Sequence, residues 1–186
     1  MTVTVTTIRS TLKSIISRKN NEKEIKTMEL TFAPRGILQI DDARIIYRNF
    51  KGEPSKFNRE GDRNFAVVIP TEEMKDALIK EGWNVKIKPP RDEEEDPFMY
   101  LPVKVKFNDR GPNVYLRSGK ALNKLDEESV GLLDDVDILS VDLDIRPYDW
   151  DVNGNTGRTA YLQSINIVQN LDRFAARYAE EESPRE

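Results

Sequence analysis

Apolar and polar residues alternate along the chain from Met28 onward, most regularly over residues 103–107 and 139–146. A period of two residues is typical of strands that bury one of their faces. The predicted strands are Ile37–Phe50, Arg63–Ile69, Asn84–Lys88, Tyr100–Phe107, Asn113–Arg117, Ile138–Tyr148 and Arg158–Val168. The pattern therefore predicts a mainly β protein.

Helical signals are few and short. Thr71–Glu81 predicts a helix, because Thr71 is suited to cap its start and Gly82 to end it. A second short helix is predicted within Ala121–Leu133, and a terminal helix over Leu171–Glu182. The chain lacks the alternation of strands and long helices that builds a doubly wound sheet.

Short, closely spaced strands favour a small barrel or sandwich. An OB-like five-stranded barrel with extra strands, one or two short helices and terminal extensions fits best, although periodicity does not separate it from another β-barrel. The sequence NGNTG at Asn153–Gly157 predicts a hairpin turn between the two longest late strands. We expect residues 28–170 to form the barrel, after a basic arm or helix at 1–27 and before a helix and acidic tail at 171–186.

The 186 residues include no Cys and no His. Thiolate nucleophiles, zinc–thiolate sites and chemistry that depends on histidine are therefore excluded, which leaves only carboxylate–magnesium or lysine-based catalysis. We predict a binding protein without a cofactor or a metal, not an enzyme. No stretch approaches the roughly 20 apolar residues of a membrane span, and no signal peptide is recognisable, so the expected location is the cytoplasm.

The net charge of −4 conceals an uneven distribution of charge. Residues 1–69 carry 13 basic and 8 acidic side chains, whereas residues 125–186 carry 5 basic and 15 acidic ones. A basic front half is thus masked by an acidic back half. The overall sign does not exclude a nucleic-acid ligand.

The segment Arg44–Phe65 interleaves cationic and aromatic residues. Lysine and arginine follow phosphates, and aromatic rings stack on bases for about 1–3 kcal/mol each, so this mixture is typical of single-strand binding. The candidate DNA-binding residues in this segment are Arg44, Tyr47, Arg48, Phe50, Lys51, Lys56, Phe57, Arg59 and Arg63. The alternative is that its aromatic side chains point into the barrel.

Further candidates lie on the polar positions of later strands. A lysine stripe would share one sheet face if its strands are neighbours, and late aromatic residues could stack on bases. These candidates are Lys86, Lys88, Lys104 and Lys106, together with Tyr148, Trp150 and Tyr161. Trp83, Tyr100 and Tyr115 could be either stacking groups or core residues.

Three blocks of sequence, Asp41–Pro70, Gly82–Phe107 and Asp142–Asn170, resemble the single-stranded DNA-binding proteins of tailed bacteriophages. The resemblance covers about residues 37–170. It implies an OB-fold replication accessory protein that coats exposed DNA in the host cytoplasm and contacts replication or recombination proteins through its acidic end. This chain ends in SPRE without a terminal aromatic residue, which departs from the family pattern.

The leading hypothesis is therefore a largely sequence-independent single-stranded DNA-binding protein. An acidic protein-interaction or inhibitor domain that binds a host protein is the alternative. A less favoured one is a magnesium-dependent nuclease built on Asp142, Asp144, Asp149 and Asp151. The sequence does not decide whether the protein prefers DNA to RNA, or whether it forms homo-oligomers.

Overall fold

A computed structural model describes residues 6–9, 27–172 and 174. These residues contain eleven strands and one α-helix, which confirms the predicted mainly β class. The elements are β1 (Thr6–Arg9), β2 (Glu29–Phe32), β3 (Leu38–Asp41), β4 (Ile45–Asn49), β5 (Arg63–Val68), α1 (Glu72–Lys80), β6 (Lys86–Lys88), β7 (Phe98–Val105), β8 (Asn113–Ser118), β9 (Ala121–Leu125), β10 (Ile138–Val152) and β11 (Asn155–Gln169). Two short 3₁₀ turns occupy Pro34–Gly36 and Val130–Asp134. None of the described helices is long and apolar enough to cross a membrane.

The strands pair in the order β1-β2-β3-β10-β11-β7-β5-β4, with β6 added to β7, β8 to β11 and β9 to β8. Strand β11 runs parallel to β7 and β8, and the other pairs are antiparallel. Hydrogen bonds between the described strands do not close the sheet on itself. Strands β3 and β4 are nevertheless joined by Asp42–Arg44, so β3/β4, β5, β7, β11 and β10 surround one core in an OB-like arrangement.

Alternation along each strand separates the core from the outer surface. On β7 the odd-numbered residues from Met99 to Val105 are buried, whereas Pro102 and Lys104 are exposed. Phe50 and Phe65 stack in the core with their ring centroids 5.3 Å apart. Burial of such a side chain stabilises the fold by about 1.5–3 kcal/mol, which makes these two rings part of the framework.

The predicted strand Ile37–Phe50 is divided in two. Asp42 has a φ of 52°, which interrupts the extended backbone, and the amide of Ala43 donates a hydrogen bond to the carbonyl of Val141. Strand β2 was not predicted, because its four residues are too few to establish a period. It pairs with β3 along its whole length.

The prediction of a second short helix within Ala121–Leu133 is confirmed only as the 3₁₀ turn at Val130–Asp134. Residues 121–125 form β9, which pairs with β8 across a turn in which Gly119 has a φ of 58°. Ladder hydrogen bonds to β8 outweigh the modest helical propensity of this segment. Helix α1 is confirmed, and the hydroxyl of Thr71 accepts a hydrogen bond from the amide of Met74.

Residues 1–5, 10–26, 173 and 175–186 lie outside the described residues, and with them most of the predicted N-terminal arm and most of the predicted terminal helix. The described part of the N-terminal segment, Thr6–Arg9, is a strand paired with β2.

The predicted hairpin turn is confirmed. Val152 pairs with Asn155, and the two residues between them, Asn153 and Gly154, have φ values of 53° and 80°. Two consecutive positive φ angles are typical of the type I′ turn that Asn-Gly favours. From Arg146 onward no residue of β10 is buried, and Asn155–Thr159 on β11 are not buried either. Residues 148–159 therefore extend beyond the core as a two-stranded hairpin, called the arm below.

Candidate nucleic-acid interface

The outward face of β7 brings the candidate residues of several strands together. Strand β6 lies beside its first half, where Lys86 pairs with Tyr100, and β11 beside its second half, where Tyr161 pairs with Lys104. Because partners in a ladder point to the same side, their side chains share one surface. We call this surface the aromatic–cationic face, and its members are Tyr47, Lys86, Lys88, Phe98, Tyr100, Lys104, Arg146, Tyr148, Trp150 and Tyr161.

One half of this face is a compact cluster around Lys88. The ammonium group of Lys88 donates a hydrogen bond of 2.9 Å to the hydroxyl of Tyr47 and lies 4.9 Å and 5.5 Å from the ring centroids of Tyr47 and Tyr100. Tyr47 contacts Tyr100 edge-on, and Tyr100 stacks with Phe98 at 5.9 Å. The hydrogen bond that Lys88 donates to Tyr47 raises the pKa of Lys88 and so favours its charged form.

A backbone irregularity turns Tyr47 outward. The register between β4 and β5 shifts between Ile46 and Asn49, and Tyr47 within this bulge has a φ of 52°. A left-handed conformation at a residue other than glycine costs roughly 1–3 kcal/mol and is concentrated at functional sites. The side chain of Tyr47 is 56% exposed. The fold therefore maintains an unfavourable backbone conformation that presents this ring to solvent.

The other half of the face lies at the base of the arm. Tyr148 and Tyr161 contact each other edge-on at 6.0 Å, and the guanidinium of Arg146 lies 5.1 Å from the Tyr161 ring. Lys104 is the ladder partner of Tyr161. Tyr100 and Lys104 are four residues apart on β7, which places the two halves about 13 Å from each other at ~3.3 Å per residue.

The loop between β4 and β5 presents the most exposed aromatic side chain of the described residues. Phe57 is 91% exposed, and the ammonium group of Lys56 lies 5.6 Å from its ring. The side-chain amide of Asn58 donates a hydrogen bond to the carbonyl of Asp62 at 2.7 Å and stabilises the loop. Arg44 and Arg59 are also exposed, and so is Lys106, directly after β7.

The structure places two candidates in the framework instead. Phe50 is fully buried against Phe65, so it lies outside the interface. The guanidinium of Arg48 donates hydrogen bonds of 2.8 Å to the carbonyls of Leu133 and Val136. Sequence alone does not distinguish these two side chains from their exposed neighbours. In the case of Arg48, the hydrogen-bond partners lie more than 80 residues away along the chain.

Lys51 and Arg63 are engaged with the same distant segment. Lys51 forms an ion pair of 2.7 Å with Asp135, and Arg63 forms one of 3.0 Å with Glu127. Arg63 also donates a hydrogen bond from its Nε to the carbonyl of Phe50. These two cations hold the β4–β5 loop, and neither lies on the aromatic–cationic face.

Sequence reasoning missed Phe98 and Arg146 and left Tyr100 undecided. Phe98 and Tyr100 lie at alternate positions of β7, in phase with the exposed Lys104. This alternation could have assigned both rings to the outward face of β7. Arg146 likewise alternates in phase with Tyr148 on β10. The acidic loop between Lys88 and Phe98 obscured the pairing of β6 with β7.

Carboxylates occupy a separate part of the sheet, the acidic face, formed by Glu29, Asp41, Asp142 and Asp144. Partial burial and then the nearby charges of Asp142, Glu29 and Asp144 raise the pKa of Asp41. The backbone amide of Asp42 donates a hydrogen bond to Asp142 at 2.8 Å. Within the described part of the chain, no three acidic residues converge as a metal site.

The family model of the phage ssDNA-binding domain matches residues 29–184. The chain therefore belongs to this family and is a single-stranded DNA-binding protein, as the sequence predicts.

Three solved structures are similar to this chain. The C-terminally truncated single-stranded DNA-binding protein of bacteriophage Enc34 is 12% identical, with a TM-score of 0.49 over 88% of this chain and 99% of that one. The same phage protein in complex with ssDNA is 14% identical, with a TM-score of 0.47 over 78% and 93%. The single-stranded DNA-binding protein gp2.5 of bacteriophage T7 is 11% identical, with a TM-score of 0.37 over 83% and 100%. No curated protein matches the sequence.

Proposed function

We propose that the protein coats transiently exposed single-stranded DNA during phage replication or recombination, and that the strand lies across the aromatic–cationic face. The cluster of Lys88 with Tyr47, Tyr100 and Phe98 carries this proposal, because it combines exposed rings with a charged ammonium group. Rings stack on any base and lysine attracts any phosphate, so binding has little sequence preference. The protein acts by binding and not by catalysis.

The bound strand runs from the arm, past Lys104, to the Lys88 cluster. This course follows the outward face of β7, β10 and β11 in the OB-like arrangement. Oligonucleotides commonly bind to a sheet face and the adjoining loops of an OB-fold. The β4–β5 loop, with Phe57 at its exposed tip, supplies a further stacking group beside this course. Cations at the edges of the face contact phosphates, namely Arg44, Lys56, Arg59, Lys86 and Lys106.

Fluorescence anisotropy with a labelled, unstructured DNA oligonucleotide tests the proposal. Tyr100→Ala is expected to raise Kd about 5- to 150-fold, since one stacked base contributes about 1–3 kcal/mol. Tyr115→Ala is the matched control, because Tyr115 also lies under a lysine, Lys124 at 6.0 Å, but on the β8–β9 hairpin. Equal losses in both variants, or equal affinity of the wild type for duplex DNA, would contradict the proposal.

We further propose that residues 28–170 are the DNA-binding unit and that the acidic C-terminal end contacts replication or recombination proteins in the host cytoplasm. Glu180, Glu181 and Glu182 at this end favour basic partners. Deletion of residues 180–186 is expected to abolish capture of such proteins while Kd for DNA changes by less than about twofold. Capture that survives the deletion contradicts the partner role. Self-association through this end would appear as a mass change on deletion in light scattering.

A further inference from the structure

Arg158 connects the arm to helix α1. It lies on β11, and its Nε and one terminal nitrogen donate hydrogen bonds of 2.6 Å and 2.9 Å to the two carboxylate oxygens of Asp149 on β10. The other terminal nitrogen donates a hydrogen bond of 2.6 Å to the carbonyl of Glu81, directly after α1. One guanidinium group therefore joins both strands of the arm to the end of the helix.

The surroundings of Arg158 fix its orientation. Its side chain is 21% exposed, and its guanidinium carbon lies 5.2 Å from the ring centroid of the buried Trp83. The planar group is thus held on one face by an aromatic ring and along its edges by three hydrogen bonds. Arginine suits this arrangement, since lysine has neither the planar fork nor the bidentate geometry.

The neighbouring ladder pair on the arm consists of Trp150 and Gly157. A Cβ atom at position 157 would lie 2.3 Å from the Cζ2 atom of Trp150, so the indole rests directly on the glycine backbone. Trp150 remains 38% exposed and borders a cleft of about 450 Å³ that Gly82 and Arg158 also line. Gly157 thus fixes the indole on the arm, and the link between the arm and the end of α1 sets where the indole lies relative to the rest of the sheet.

We propose that Arg158 is a positioning residue that holds the arm so that Trp150 presents a fixed stacking surface to a DNA base. This inference rests on the proposed function, in which the strand contacts the arm. An isolated two-stranded hairpin is at best marginally stable in water, so an arm without this link would sample many orientations. A fixed ring loses less conformational entropy when a base stacks on it.

The experiment compares Arg158→Gln, Arg158→Lys and Asp149→Ala by anisotropy with a DNA oligonucleotide, after circular dichroism has shown that each variant is folded. All three are expected to raise Kd about tenfold, which corresponds to about 1.4 kcal/mol. Asp149→Ala is the most informative variant. Charge alone predicts tighter binding after loss of a carboxylate, whereas loss of the link predicts weaker binding.

A double-mutant cycle with Trp150→Ala then separates positioning from direct contact. If Arg158 acts through Trp150, Arg158→Gln has no further effect in the Trp150→Ala background. If the two substitutions lower the affinity for DNA additively, or if Arg158→Lys binds DNA as tightly as the wild type, Arg158 contacts a phosphate. Either result would overturn the inference. An effect of Tyr100→Ala without any effect of Trp150→Ala would also overturn it, while leaving the proposed function intact.

Discussion

Strand β10 carries two contrasting surfaces on the same outward side. Its first half contributes Asp142 and Asp144 to the acidic face, and its second half contributes Arg146, Tyr148 and Trp150 to the aromatic–cationic face. The change falls where the register with β11 shifts, between Asp144 and Ile145. One strand thus serves two opposite electrostatic environments.

The contrast explains how a chain of net charge −4 binds a polyanion. On the aromatic–cationic face, cations lie against rings, and both kinds of group interact favourably with a nucleic acid strand. On the acidic face, partial burial and then neighbouring carboxylates raise the pKa of Asp41, and the charged carboxylates repel phosphates. Under the proposed function, the separation of charge, and not its sum, directs the strand to one side of the sheet.

Removal of both tyrosines around Lys88 is expected to weaken DNA binding by the aromatic–cationic face more than any other change considered below. Tyr47→Ala combined with Tyr100→Ala is expected to raise Kd for single-stranded DNA by at least about thirtyfold, because two stacking surfaces are lost. Both rings are partly exposed, so the melting temperature should change little. An anisotropy titration measures the effect, and a loss no greater than that of Tyr115→Ala would show that the cluster is not the binding surface.

Neutralising two lysines of the face should change the salt dependence of binding. Lys88→Gln with Lys104→Gln is expected to reduce the slope of log K against log salt by about 1.4, at ~0.7 per phosphate contact on a single strand. The matched control neutralises Lys80 and Lys124, which are exposed on α1 and β9. If both double variants have the same salt slope, the phosphate contacts are not localised on the aromatic–cationic face.

A change on the acidic face should alter stability and leave DNA binding unchanged. The raised pKa of Asp41 means that the fold favours its protonated form. Its contribution to stability is therefore present below the unfolded pKa and lost as pH rises through the folded pKa. Asp41→Asn is expected to raise the melting temperature slightly at pH 7, with no gain below about pH 3.5. A rise in melting temperature that is independent of pH, or a changed Kd for DNA, would contradict this prediction.

The sequence predicted those features that depend on neighbouring residues. Alternation along β7 located its buried and exposed positions, and the Asn-Gly pair located the turn of the arm. Contacts between distant segments were beyond such reasoning. Phe50 and Phe57 look alike in a stretch rich in cations, yet one is fully buried and the other is almost fully exposed.

Two further findings have the same physical origin. Arg48 is a candidate DNA-binding cation by sequence, but one of its terminal nitrogens donates hydrogen bonds to the carbonyls of residues 133 and 136. Residues 121–125 showed no clear strand period, and pairing with β8 determines their conformation. In both cases tertiary hydrogen bonds override local preference.

Backbone NMR with an unstructured DNA oligonucleotide tests most directly which surface binds DNA. Chemical shifts are expected to change at Tyr47, Lys88 and Tyr100 and along the arm. The amides of Glu29 and Asp41 on the acidic face should remain unperturbed at saturation. The proposal is that separated charge directs the strand to the aromatic–cationic face. Chemical-shift changes centred on the acidic face, or spread evenly over both faces, would contradict it.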